Sequence, residues 1–256
     1  MAGQLGVSDW PYPFWIAHRG AGKLAPENTL AAFRLGAQYG YRAFECDVKL
    51  SLDGVPFLLH DDTLARTTNR PGDPAQLPWS ELSQRDAGGW HSRSYAGEPL
   101  PRLDAIAAFC LRSGHALNLE IKPSPGRERE TGEVLAREAA RLWAGHTPPL
   151  LSSFQPEALE GARIGAPQLP RALLADTLFD GWFERAQSLA CVAVVANFSL
   201  YDRAMVERLH GHALRALAYT VNDAVSARGL IDIGLDGLIT DAVDRFSPHV
   251  GASVCT

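Results

Sequence analysis

Two histidines, His18 and His60, each close a short apolar run, and between them two carboxylates, Glu45 and Asp47, stand two residues apart in a strand-like segment. Side chains alternate along a strand, so both carboxylates share one face. The run ALNLEIKP repeats the device, with Asn118, Glu120 and Lys122 on one face and Leu117, Leu119 and Ile121 on the other. Imidazoles titrate near neutral pH, and carboxylates are hard oxygen donors. Set among aliphatics with a lysine, such groups are the materials of metal and phosphate chemistry.

The elements that carry them follow from hydrophobic periodicity. Phe14–Ala17 reads as a first strand ending at His18-Arg19-Gly20. Polar residues Pro26-Glu27-Asn28-Thr29 open a helix with Leu30, Phe33 and Ala37 at helical spacing. Ala43–Val48 is the second strand. Asp53-Gly54 then signals a hairpin, so the run 55–60 returns antiparallel. A turn centred between those two residues sets Asp47 opposite His60.

Residues 61 to about 101 are irregular, with a short helical candidate at Trp79–Asp86, and a segment of that length suggests a functional insertion. Regular alternation resumes afterwards. Strands are expected at Ala116–Lys122, Leu150–Phe154, Arg171–Ala175, Val192–Phe198, Arg215–Val221 and Gly237–Thr240, with helices between them. Leaving out the returning arm, eight strands are joined by connections long enough for parallel pairing. That points to α/β architecture, a (β/α)₈ TIM-type barrel, whose reactive groups lie at the C-terminal ends of strands.

Composition sets the bounds. The 256 residues suit one barrel domain, and 46% hydrophobic with 21% charged residues is ordinary for a globular chain. A formal charge of -5 offers no basic stripe for nucleic acid, yet leaves room for an anionic substrate met by local cations. Cys46, Cys110, Cys191 and Cys255 form no CxxC pair and read as reduced structural thiols. The first fifteen residues lack Lys and Arg, unlike a secretory leader, and no apolar run approaches the roughly 20 residues of a membrane span. The expectation is a cytoplasmic protein without an integral membrane segment, monomer or homodimer.

The segments HRG…PENTLAAF, ECDVKLSLDG, HDDTLARTT, DAGGW with GEPLPRL, NLEIK, SSF, YTVND and GLDGLITD, in this order and spacing, resemble the glycerophosphodiester phosphodiesterase family over nearly the whole chain. The resemblance implies a (β/α)₈ barrel across residues 1–256 with a small insertion subdomain at 49–101, after the second strand. It implies a divalent cation, one per site, on Glu45, Asp47 and Glu120. Three oxygen donors without a cysteine or histidine cluster suit Mg²⁺ or Ca²⁺ better than zinc. It implies His18 and His60 as an acid–base pair, a device contributing roughly 10²–10⁴-fold in rate, and Arg19 and Lys122 near phosphate. Arg19 has a competing role, bridging acidic residues at the barrel mouth.

Other residues have plainer readings. Asp61 is expected to orient a neighbour, Glu27 and Asn28 to cap a helix, and Asn222 and Asp223 to cap another. The histidines at 91, 115, 146, 210, 212 and 249 are expected to be structural. The chain departs from the family pattern at Arg102, at Tyr219 where tryptophan is frequent, and at His91, changes that bear on substrate preference.

The implied reaction is metal-dependent hydrolysis of a small-molecule glycerophosphodiester to glycerol 3-phosphate and an alcohol, through a cyclic phosphate. Alternatives are a lysophospholipase D-like hydrolase, a glycoside hydrolase, and a non-catalytic phosphodiester-binding barrel; the first would need an apolar lip such as Trp79, Trp90 and Tyr95, although aromatics in an insertion more often hold a small subdomain together.

Overall fold

The computed structural model describes residues 10–248; the expectations for Cys255 and His249 lie outside them. Strand β1 (Trp15–Ala17), helix α1 (Leu30–Gln38) and strand β2 (Ala43–Leu50) come first, followed by the arm β3 (Pro56–Leu58) and the short α2 (Trp79–Leu82). Alternation then continues through α3 (Leu103–Ser113), β4 (Ala116–Ile121), α4 (Glu128–Leu142), β5 (Leu150–Ser153), α5 (Pro156–Gly165) and β6 (Arg171–Ala175). The last elements are α6 (Trp182–Ser188), β7 (Ala193–Asn197), α7 (Arg203–Gly211), β8 (Arg215–Tyr219), α8 (Ala224–Asp232) and β9 (Gly237–Thr240).

Eight of the strands pair in parallel around a ring, and β1 closes it by bonding both β9 (Ala17 opposite Thr240) and β2 (Ala17 opposite Phe44). This is the expected (β/α)₈ barrel. Strand alternation builds its two layers. Phe44, Cys46, Val48, Leu117, Leu119 and Ile121 face outward into the core shared with the helices. Ala43, Ile16, Leu150, Leu174, Val195, Leu217 and Ile239 face inward and fill the barrel. Glu45 and Asp47 have the same parity as Ala43, so they stand above this apolar plug. The three described cysteines are buried free thiols; burial pushes Cys110 up to about 12.

The hairpin forms, but one residue out of the expected register. Val48, Lys49 and Leu50 pair with Leu58, Phe57 and Pro56, and Leu59 N–H donates to Asp47 O at 3.1 Å. Asp47 therefore faces Leu59, not His60. The reason is the turn: only Gly54 has a positive φ, +77°, whereas a two-residue type I′ turn needs two such residues. The loop instead spans three residues between Ser51 and Val55, whose backbones bond at 3.1 Å. Asp53, outside the left-handed region, accepts from the Trp79 N–H at 2.9 Å and ties the loop to α2. Beyond the hairpin, Phe57, Leu59, Leu64, Leu82, Ala87 and Leu100 form a separate small core with Leu77 and Trp79 against it.

Candidate active site

The turn after β1 has to bring His18 and Arg19 over the barrel mouth. Arg19 takes a left-handed conformation, φ +50°, and its backbone N–H donates to Glu45 Oε2 at 3.1 Å. Gly22, φ +56°, lies so close to the Asp241 backbone that an added Cβ would sit 2.1 Å from Asp241 O. The loop after β1 is thereby seated on the residue that follows β9.

That contact brings His18 to Asp241. The imidazole Nδ1 is 2.7 Å from Asp241 Oδ1, leaving Nε2 to face the site, 3.8 Å from Glu45 Oε2. Asn222 holds Asp241 in turn, donating from Nδ2 to Oδ2 at 3.0 Å and accepting the Asp241 N–H at Oδ1, 2.8 Å. His60 is held alike, with Nδ1 2.7 Å from Asp61 Oδ1. Arg66 clamps Asp61 through Nε (2.7 Å) and Nη2 (2.8 Å), and the same guanidinium donates twice to Glu27, at 2.7 Å each. Glu27 accepts from Arg19 Nη1 at 2.8 Å. Both histidines thus have one ring nitrogen occupied by a carboxylate. Burial lowers the His60 pKa, while the Arg66 hydrogen bonds hold the Asp61 carboxyl far down.

The carboxylates converge as the strand register dictates: Asp47 pairs with Glu120, and Glu45 with Asn118. One ligand oxygen from each of Glu45, Asp47 and Glu120 lies within 4.8 Å of the others, and all three side chains are buried. Burial first, then the neighbouring carboxylates, pushes Glu45 well up and Glu120 to about 7. Asp47 is held down against its burial by Arg19 and Lys122. Glu45 Oε1 and Asp47 Oδ1 are buried without accepting a hydrogen bond. Leaving such groups unmatched costs about 1–3 kcal/mol each, more when charged. A hard divalent cation matches this oxygen set and its accumulated negative charge.

Lys122 Nζ lies 2.7 Å from Glu120 Oε1 and 3.5 Å from Asp47 Oδ1. Its charge is reinforced by Asp47 and Glu120 against the effect of burial. Arg19 Nε stands 3.2 Å from Asp47 Oδ2, so its bridging of acidic residues is real. A cavity of about 160 Å³ takes in His18, Arg19, Glu45, His60, Glu120 and Lys122. Six of the seven residues expected to bear the chemistry meet there; the seventh, Asp47, is buried against Arg19, Asn28 and Lys122. Phe154 and Tyr219 wall it, their rings edge to face at 5.8 Å. Among the three departures from the family pattern, Tyr219 alone lines this cavity; Arg102 pairs with Asp104 at 3.0 Å, and His91 stacks edge-on with Trp90 and Tyr95.

Two readings need correction. Thr29, accepting from Ala32 N–H, is the cap of α1; Asn28 instead clamps Asp47, donating from Nδ2 at 2.8 Å and accepting its N–H at 3.1 Å, and Glu27 joins the two arginines. Asp223 caps α8 as expected, but Asn222 serves Asp241. Trp79 packs on Phe57 and helps hold the insertion core together, as expected of an aromatic there. Asp241 received no role in the sequence reading, although LITD places a carboxylate at the end of the last strand, where barrel chemistry sits.

Fixed positive charge facing two imidazoles, over carboxylates able to hold a cation, suits the transfer of a phosphoryl group. The fold and site are those of a barrel-type phosphoric diester hydrolase. The family model described as the glycerophosphoryl diester phosphodiesterase family matches residues 18–245, and the chain belongs to that family. It is 33% identical to the protein YhdW of Bacillus subtilis, over 90% of this chain and 94% of that one. A glycerophosphodiester phosphodiesterase of Caldanaerobacter subterraneus is 31% identical, covering 88% and 93%. Among solved structures, an Oleispira antarctica phosphodiesterase in complex with its product sn-glycerol-3-phosphate superposes with a TM-score of 0.86 at 36% identity, covering 93% of this chain and 95% of that one. No helix among the described residues is long and apolar enough to cross a membrane.

Proposed function

We propose that the protein hydrolyses glycerophosphodiesters to sn-glycerol 3-phosphate and a free alcohol, with His18 and His60 as proton carriers. The observation that carries this reading is the matched pair of imidazoles, each held at Nδ1 by an aspartate, on a cavity bounded by buried carboxylates and two cations. It is supported by the product found in the Oleispira antarctica relative.

Glu45, Asp47 and Glu120 would hold a divalent cation, Mg²⁺ or Ca²⁺ by their all-oxygen chemistry. When bound, the cation supplies Lewis-acid polarisation of a phosphate oxygen. The chain's own residues do the rest. Asp241 and Asp61 fix the two rings so that each Nε2 is free to take or give a proton. One histidine removes the proton of a glycerol hydroxyl, whose oxygen forms the new bond to phosphorus as the ester bond to the alcohol breaks. The other histidine protonates the departing alkoxide. Water then opens the cyclic phosphate with the two roles exchanged. Lys122 and Arg19 stand where negative charge accumulates on the phosphoryl oxygens. The hairpin and residues to 101 act as a small subdomain that delivers His60 to the mouth. The mature site is expected to serve a small-molecule diester in the cytoplasm.

Release of choline from glycerophosphocholine, with Mg²⁺, Ca²⁺, Mn²⁺ or chelator, tests this. Activity should require a divalent cation and fall by ~10²-fold or more in His60→Ala. Near-wild-type turnover by that variant refutes the assignment.

A further inference from the structure

Asn118 has no part in the reaction as derived above, yet it occupies a place that the fold does not waste on an idle group. It stands on β4 two residues before Glu120, in register with Glu45, on the inward face of the barrel. The residue is only 4% exposed and lines the 160 Å³ cavity below the two histidines. Both ends of its amide, Nδ2 and Oδ1, lack a hydrogen-bond partner. The other two site asparagines differ: Asn28 spends its whole amide on Asp47, and Asn222 spends its own on Asp241. The register partner of Glu120 on β5, Ser152, is fully buried and its Oγ is likewise without a partner.

Each polar end of a buried amide left unmatched destabilises the site, so its ligand should satisfy both. A phosphate would match the Nδ2 donor but set oxygen against Oδ1. A cation would match Oδ1 and leave Nδ2 orphaned. A pair of adjacent hydroxyls matches both, since one can donate to Oδ1 while the oxygen of the other accepts from Nδ2. We propose that Asn118 is the clamp for the vicinal diol of the glycerol moiety and thereby selects glycerol among phosphodiester alcohols. This rests on the reading of the substrate as a glycerophosphodiester.

A site built to bond a hydroxyl rejects the analogue lacking it far more strongly than an apolar pocket rejects an extra group, because its own buried atoms are then left unpaired. The test compares glycerophosphocholine with the corresponding propane-1,2-diol diester, which keeps the secondary hydroxyl and lacks the terminal one. The wild-type protein should favour the glycerol substrate by ~100-fold or more in kcat/KM. In Asn118→Ala the preference should shrink below ~10-fold. The melting temperature should hold or rise, because an orphaned buried amide has been removed, and cation affinity by calorimetry should be unchanged. Asn118→Asp, of the same shape, repeats the measurement if the alanine variant folds poorly.

An undiminished preference in both variants overturns the proposal. So does a tenfold loss of cation affinity, which would make the amide a metal ligand. Wild-type protein that cleaves both diesters equally well sinks this inference alone. Wild-type protein that cleaves neither sinks the functional reading together with it.

Discussion

Glu120 gives the most direct handle on the acidic cluster. Burial, then the neighbouring Asp47, raises its pKa from 4.5 to about 7. In the cation-free protein it therefore keeps a proton that the unfolded chain has already lost. Between those two values the folded state binds more protons, so stability falls as pH rises through the window. At about 1.4 kcal/mol per pH unit, the interval from 4.5 to about 7 amounts to about 3 kcal/mol by pH 8. For a chain of this size each kcal/mol shifts the melting temperature by roughly 2–4 °C, giving a fall of ~6–12 °C. His60, whose pKa is lowered by burial, works the other way below its ordinary value, since its stabilising effect grows with pH there. Comparison with Glu120→Gln removes that contribution. The quantity to measure is the melting temperature of wild type minus variant, in chelator, from pH 4.5 to 8. It should decline steadily with pH. A divalent cation at a hundred times its dissociation constant restores about 2.7 kcal/mol, and does so most at high pH, where the carboxylates are ionised. A difference that stays flat or rises with pH refutes the account of a proton-bearing, cation-seeking cluster.

Asp241→Asn should lower kcat by ~10²-fold, because the amide no longer favours the Nδ1–H tautomer that aims the His18 lone pair at substrate; steady-state kinetics and an unchanged melting temperature check it. Gly22→Ala puts a Cβ into the Asp241 backbone at a left-handed position and should destabilise the protein by about 2 kcal/mol or more, seen in urea unfolding, with activity lost at temperatures where the fold persists. Arg66→Met removes four charge-assisted hydrogen bonds to Asp61 and Glu27. It should reduce kcat by ~10-fold with KM little changed, and Arg66→Lys should recover only part of the loss, since an ammonium cannot reproduce the planar fork.

The barrel was readable because strand and helix periods differ and eight units repeat them. Arg171–Ala175 and Gly237–Thr240 fall where their apolar spacing puts them. The convergence of Glu45, Asp47 and Glu120 was equally legible, since parity along a strand fixes the face and the C-terminal end fixes the height. What escaped was of two kinds. The hairpin register depends on whether Asp53 joins Gly54 at a positive φ, and Asp53 stays outside that region while accepting the distant Trp79 N–H. The partners of His18 and Asp47 depend on side-chain encounters between elements far apart in sequence, and an asparagine beside a helix start looks like a cap whether or not it reaches across a turn. Asn118 was visible on the correct face, but only the accounting of hydrogen bonds shows that its amide is free.

The His18–Asp241 hydrogen bond spans 223 positions of sequence and lies across the seam where the first and last strands of the ring meet. All three carboxylates of the cluster and His60 are in place in the first half of the chain, whereas the aspartate that aligns His18 comes after the final strand. On the roles proposed above, a chain still emerging from synthesis could gather its acidic cluster long before it could move a proton. The last strand then acts as the interlock: turnover begins when the ring shuts, and activity becomes a direct report of barrel closure. Complementation between separately made halves, assayed by choline release, would read out that closure as turnover that appears only when both halves are present.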